Sequence, residues 1–182
     1  MIELKMHQVE VLEALFAKTP KEARMLFARA INRSAESSRT KASQEVRAKY
    51  VIRSLDVKKP MKVKKATESQ LSAHVHISGG VTPLMKFDIT PTMPDVMPVR
   101  ARVKKGSSRN LIPHAFVAKM ENAHMNAFTR VGKRRLPIKG RYGPSIAQMT
   151  REPKVFTNIT THAHKTLDKR LDHEMNRLLY GG

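Results

Sequence analysis

Two His-x-His pairs, His74/His76 and His162/His164, are the residues of this chain that come nearest to metal chemistry. On a strand, positions two apart share a face, so His74 and His76 could present two imidazoles together, opposite the apolar alternation of Leu71, Ala73, Val75 and Ile77. No third ligand accompanies them and the chain has no cysteine, so solvent-facing histidines and no metal are expected. His162 and His164 fall on a predicted helix, where residues two apart diverge. The carboxylates Asp168, Asp172 and Glu174 lie close in sequence, but Lys169, Arg170 and Arg177 surround them, which reads as ordinary helix-surface pairing. There is no G-x-S-x-G elbow. "VGKRRLP" lacks the second glycine and the Lys-Ser/Thr pair of a phosphate-binding loop, and "SGGVTP" reads as a hairpin loop. Neither catalysis nor a cofactor is expected.

Charge is the more informative chemistry. Thirty-five Lys+Arg against fifteen Asp+Glu leave a formal +20 over 182 residues. Such a chain repels its own copies and seeks polyanions. The imbalance is concentrated: between Val96 and Arg151, Glu121 is the only acid. Within that window Arg100, Arg102, Lys104, Lys105, Arg109, Lys133, Arg134, Lys139 and Arg141 are the candidates to meet DNA or an acidic partner. The chain has no Trp and few other aromatics to stack on bases, so any nucleic-acid contact is expected at phosphate, sensitive to salt and without sequence preference.

These side chains must be held by something. Ile2, Leu4 and Met6 alternate, and Val9, Leu12 and Phe16 take helical spacing, predicting a short strand and a short helix. Thr19 can cap, Pro20 suits a first helical position and Glu22 stands where a capping-box acid belongs, so a long helix is predicted from Pro20 to about Tyr50. After Ile31 its stripe narrows to Ser and Ala, which suits close packing on another helix or partial exposure. From Val51 to about Ile138, short apolar runs cut by Pro and Gly predict strands. Leu71 to Ile77 and Met85 to Ile89 are expected to pair across Gly79-Gly80. "VRARV" puts Val99, Ala101 and Val103 on one face with Arg100, Arg102 and Lys104 on the other. "HAFVAKM" and "NAFTRVG" suggest a pair turning at Glu121 to His124. Pro144 can open a short helix, and Pro153 a longer one with Phe156, Ile159, Ala163, Leu167, Leu171, Met175 and Leu178 as its stripe.

The expected class is α+β, a central, mostly antiparallel sheet with a long N-terminal helix and a C-terminal helix. A single domain over 1–182 is expected, with a helical part at 1–50, a β-rich core at 51–143 and helices at 144–182. No apolar run approaches the roughly 18 to 20 residues of a membrane span, and "MIELKMHQVE" carries acids where a signal peptide starts basic. A soluble chain without membrane contact follows.

Three stretches together resemble the prophage minor tail protein Z family, the tail-completion proteins of lambda-like phages. The first is the helix around Ala30-Ile31-Asn32-Arg33. The second is "PLMKFDITPTMP", through Pro83, Leu84 and Phe87. The third is Phe116-Val117-Ala118, Arg130, Arg135-Leu136-Pro137-Ile138 and Tyr142-Gly143-Pro144-Ser145. The segments keep the family's order over Phe27 to Met149; Ile31 stands where Leu is expected.

The resemblance implies a non-enzymatic structural virion protein at the tail or neck, assembled in the host cytoplasm. It further implies a homo-oligomeric ring around the DNA path that completes the head-proximal end of the tail for joining to the head. Implied neighbours are tail terminator, head-completion or connector proteins, with nonspecific contact to genomic DNA open. Within the motif, Leu136, Pro137 and Ile138 suit an extended segment seated in the domain or against a neighbour. Gly143, Pro144 and Ser145 suit a turn that starts a helix, and Arg135 is a candidate for an internal hydrogen bond. Charge alone would equally suit a nonspecific nucleic-acid-binding protein acting through phosphate contacts.

Overall fold

The computed structural model describes residues 20–94, 96–120 and 124–180. The strand and helix expected over Ile2 to Phe16, and the Thr19 cap, lie outside them. Helix α1 spans Pro20–Lys49, with Glu22 in its first turn and Arg47 and Lys49 in its last. Those charges complement the free N–H groups at its start and the free carbonyls at its end. After it come α2 (Ser54–Lys58), β1 (Met61–Lys64), β2 (His74–Ile77), β3 (Thr82–Pro83), a 3₁₀ turn at Leu84–Lys86, β4 (Asp88–Thr90) and β5 (Arg100–Arg102). The order continues with β6 (Asn110–Leu111), β7 (Ala115–Lys119), β8 (Met125–Arg130), β9 (Ile138–Gly140), β10 (Tyr142–Gly143), α3 (Ile146–Arg151) and α4 (Pro153–Tyr180).

The class is α+β with antiparallel pairing. The strand residues are divided among four small sheets, β1-β2, β3-β10, β4-β5-β6 and β7-β8-β9. Short strands are what this sequence permits, because Pro91, Pro94, Pro98 and Pro113 cannot donate to a ladder and interrupt each run. The pairing expected across Gly79-Gly80 is not made: β2 pairs with β1, and β4 with β5. Between β2 and β4 the chain leaves for β10, with Thr82 opposite Gly143 and Pro83 opposite Tyr142, and then winds through the 3₁₀ turn. The glycine pair marks a change of direction, not the tip of a hairpin.

Contacts divide the chain into two compact units. The first holds the described residues up to Ala42, Met61–His76 and those from Phe156 onward. Here Ala23, Leu26 and Ala30 of α1 pack with Leu171 and Met175 of α4, flanked by Phe27 and Leu167. Further along α1 the narrow stripe does bring the helices close, since Ser34 Oγ donates to the Ala163 carbonyl at 2.8 Å and Ser37 Oγ bonds His162 Nε2 at 2.8 Å. A hydroxyl reaches the backbone of a neighbouring helix only where no larger side chain intervenes. Asn32 clamps the backbone of Ala66, its Nδ2 donating to the carbonyl at 3.0 Å and its Oδ1 accepting from the N–H at 2.7 Å. His74 and His76 are exposed on β2. Glu174 pairs with Arg177 at 2.9 Å and with Arg29 at 4.0 Å. Phe156 departs from the expected stripe, being 54% exposed.

The second unit holds Ser43–Pro60 and Ile77–Val155. Its buried residues include Val46, Tyr50, Val57, Val99, Val117, Ala127, Ile146 and Met149. Strands β7 and β8 form the expected pair, with Phe116 opposite Phe128 and Val117 opposite Ala127. Arg130 stands 5.5 Å from the centre of the Phe116 ring, a cation–π contact between two residues of the family-like set. Val99, just before β5, and Ala101 on it are buried while Arg100 is exposed, as the alternation predicts, but Arg102 and Val103 are both half-buried.

Candidate electrostatic interface

The β4-β5 register sets Asp88 directly opposite Arg102. Arg102 Nε donates to Asp88 Oδ2 at 2.9 Å, and its Nη2 lies 2.7 Å from the same oxygen. Arg109, from the turn after β5, grips the other oxygen with Nε at 3.1 Å and Nη2 at 2.7 Å. The carboxylate side chain is only 15% exposed. Its pKa lies below the usual carboxylate range, chiefly through the Arg109 hydrogen bonds; burial opposes this, and Arg102 adds to the lowering.

This clamp lies at the edge of an open cleft of about 410 Å³, lined also by Arg47, Val51, Ile52, Arg53, Lys86, Phe87 and Lys105. Two backbone bonds bring the end of α1 to the end of β5: Val51 N–H donates to the Val103 carbonyl at 2.9 Å, and Lys105 N–H to the Lys49 carbonyl at 2.8 Å. Arg47 and Arg53 therefore join Lys105 around the cleft. Lys86 turns to Asp56 at 2.5 Å. Arg47, Arg53, Lys86 and Asp88 were not among the residues singled out from sequence.

Lys104 lines a neighbouring cleft of about 690 Å³ with Tyr50, Arg102, Val103, Tyr142, Gly143 and Pro144. On the same unit Lys49 Nζ meets Glu152 Oε1 at 2.5 Å. The Glu152 pKa is lowered, first by that hydrogen bond, with burial opposing, then by the Val155 N–H and the charges of Lys49 and Lys104.

The second basic stretch is arranged differently. Residues 131–137 join β8 to β9 and are exposed throughout, with Val131 at 66% and Leu136 at 65%. Val131 N–H bonds the Pro137 carbonyl at 3.1 Å and closes the loop, and the Leu136-Pro137 peptide is cis. Lys133, Arg134 and Arg135 stand outside every described hydrogen bond and ion pair. Ile138 is half-buried opposite Arg130, and Lys139 is exposed opposite Thr129. Arg141 is tied by its backbone, donating to Ala127 at 2.8 Å and accepting from Leu84 N–H and Asn126 Nδ2 at 3.2 and 3.0 Å. The 410 Å³ cleft and its neighbour are lined by cations of 100–109 and by none of 133–141.

Gly143 and Ser145 of the motif have an architectural explanation, whereas Arg135 makes no described hydrogen bond and Leu136 is exposed. A Cβ on Gly143 would lie 2.6 Å from Phe87 Cε2 and 2.9 Å from Cζ, so glycine is what lets β10 lie against that ring. The Pro83 to Phe87 segment and the Tyr142 to Ser145 segment thus meet directly. Ser145, one residue later than expected from Pro144, is the N-cap of α3, and Gln148 completes a reciprocal capping box. Buried Asn126 accepts from Leu84 N–H at 3.1 Å as well as donating to Arg141, holding both segments to β8.

Among the described residues no group of three or more metal-ligating side chains assembles, and no helix is long and apolar enough to cross a membrane. Fold and site define a class, a basic α+β protein with cation-lined open clefts beside a tightly packed segment around Gly143. The family model for Prophage minor tail protein Z (GPZ) matches residues 7–180, and the chain belongs to that family. No match was found among curated proteins or among solved structures. The protein is therefore a structural component of a phage tail, located in the virion and in contact with other tail proteins.

Proposed function

We propose that the chain acts as one tail-completion domain that closes the head-proximal end of the tail and supports head–tail joining, as a ring of copies around the DNA path. The family match over 7–180 carries this reading. The charge supports it: a ring multiplies +20 by its copy number, so free rings would be strained by self-repulsion until DNA or acidic neighbours neutralise them. Tail terminator, head-completion or connector proteins are the neighbours this reading supplies. Arg100, Lys104, Lys105, Arg109, Lys133, Arg134, Lys139 and Arg141 are among the exposed cations available to meet them or the DNA.

The test compares particles assembled with and without the chain, scoring joined heads and infectivity. Tails lacking it are expected to give few infectious particles, and added purified protein to restore them. Unchanged joining and infectivity without the protein would overturn the reading. A free-standing nucleic-acid binder would instead leave joining unaffected.

A further inference from the structure

The cleft at the end of α1 carries more positive charge than its own acid can answer. Arg47, Arg53, Lys86, Arg102, Lys105 and Arg109 line it, against Asp88 alone. A carboxylate offers about four lone-pair sites, and Asp88 already has two nitrogens of Arg102 on one oxygen and two of Arg109 on the other. It has no capacity left for Arg47, Arg53 or Lys105, all exposed and in no described ion pair. Each guanidinium carries five N–H donors, so Arg102 and Arg109 keep donors beyond those given to Asp88 while being held in fixed orientation by it. The arrangement suits an anion that arrives from outside and needs several donors at once.

The cleft's apolar residues decide which macromolecule brings that anion. Protein interfaces depend on an apolar centre that becomes desolvated, with charges at the rim. Here Ile52 and Phe87 are already buried, at 8% and 7% exposure, and the exposed rim is cationic. None of the unit's large exposed apolar side chains, from Leu55 at 82% exposure to Met93, Met97 and Leu136, lines this cleft. A phosphodiester backbone asks only for charge and donors.

We propose that this cleft is a backbone-phosphate site for duplex DNA, with Arg47, Arg53 and Lys105 as the contacting cations and Arg102 and Arg109 preset by Asp88. The proposal rests on the reading of a protein on the DNA path. It assigns DNA contact to the cleft and not to the richer run at Lys133, Arg134 and Arg135.

The test measures affinity of the full chain for a mixed-sequence duplex as a function of salt, beside Arg47→Gln/Arg53→Gln/Lys105→Gln and the charge-matched Lys133→Gln/Arg134→Gln/Arg135→Gln. Each phosphate contact contributes a slope of about −0.9 in log K against log salt, so the cleft variant should lose up to about 2.7 of slope and roughly a hundredfold or more in affinity near 0.1 M salt. The loop variant should keep most of both. A Lys replacement of Arg47 and Arg53 that preserves the slope while weakening binding would separate charge from misfolding. Equal losses in both triple variants, an unchanged slope in the cleft variant, or no duplex binding by the parent chain would each overturn the assignment. So would selective loss of binding to a polyglutamate probe, which would give the cleft to an acidic protein. Joining of particles carrying the cleft variant is scored separately. Normal DNA binding by that variant removes the site without touching the tail-completion reading, whereas joining that does not need the protein removes the reading itself.

Discussion

The cleft around Asp88 and the loop from Val131 to Pro137 are both basic, yet they are built in opposite ways. In the loop the cations are dense in sequence and stand outside the described bonds, beside exposed Val131 and Leu136. In the cleft they come from α1, the segment after it, the 3₁₀ turn, β5 and the turn after it, and one half-buried carboxylate orients two of them. Density along the chain and organisation in space are separate properties. Only Arg102 and Arg109 are held in place by Asp88, and groups preset in this way lose less ordering entropy when an anion binds.

The comparison is open to challenge first where the architecture beneath both regions is anchored. Asn126→Leu removes one of two partners from the Leu84 N–H and from the Arg141 carbonyl, which stay bonded to each other at 3.2 Å, and the two lost bonds should cost about 1–3 kcal/mol in urea unfolding. Gly143→Ala forces a methyl into the Phe87 ring and should cost about 1–3 kcal/mol in the same assay. Ser145→Ala breaks the capping box of α3, with an expected loss of about 1 kcal/mol.

Titration should single out the cleft. Asp88 and Glu152 have folded pKa values below their unfolded ones, so their stabilising contribution is complete above the usual carboxylate range and disappears as pH falls through the lowered folded values. Melting temperature should drop on acidification through that window, and Asp88→Asn should flatten part of the drop. Partial exposure of the arginines limits its size. The smallest effect belongs to the loop: neutralising Lys133, Arg134 and Arg135 should move stability by no more than about 0.5 kcal/mol. A loss comparable to that of Gly143→Ala would mean the loop is structural after all.

The sequence was most readable where structure is local. Pro20 and Glu22 mark the start of α1, the Ser/Ala stripe after Ile31 foretells the close approach at Ser34, and the alternation of Val99 to Val103 assigns the buried face of β5. The Gly79-Gly80 pair misled because a turn signal says that the chain reverses but not which strand it pairs with. The partner of Thr82-Pro83 lies at Tyr142-Gly143, some sixty residues on, and no local pattern encodes it. The cleft was illegible for the same reason, since Arg47, Arg53, Asp88 and Arg109 are brought together by backbone bonds between distant elements. The motif around Gly143 could be recognised as a signature from sequence, but its cause, the Phe87 ring under β10, is a contact only the fold supplies.

Reconstruction of an assembled particle at the junction of head and tail tests the central claim most directly. The account predicts a closed ring of copies of this chain at the head-proximal end of the tail, with Arg47, Arg53 and Lys105 turned toward the DNA. Finding the chain at the distal tip or along the tube, or finding the junction formed without it, would contradict the account.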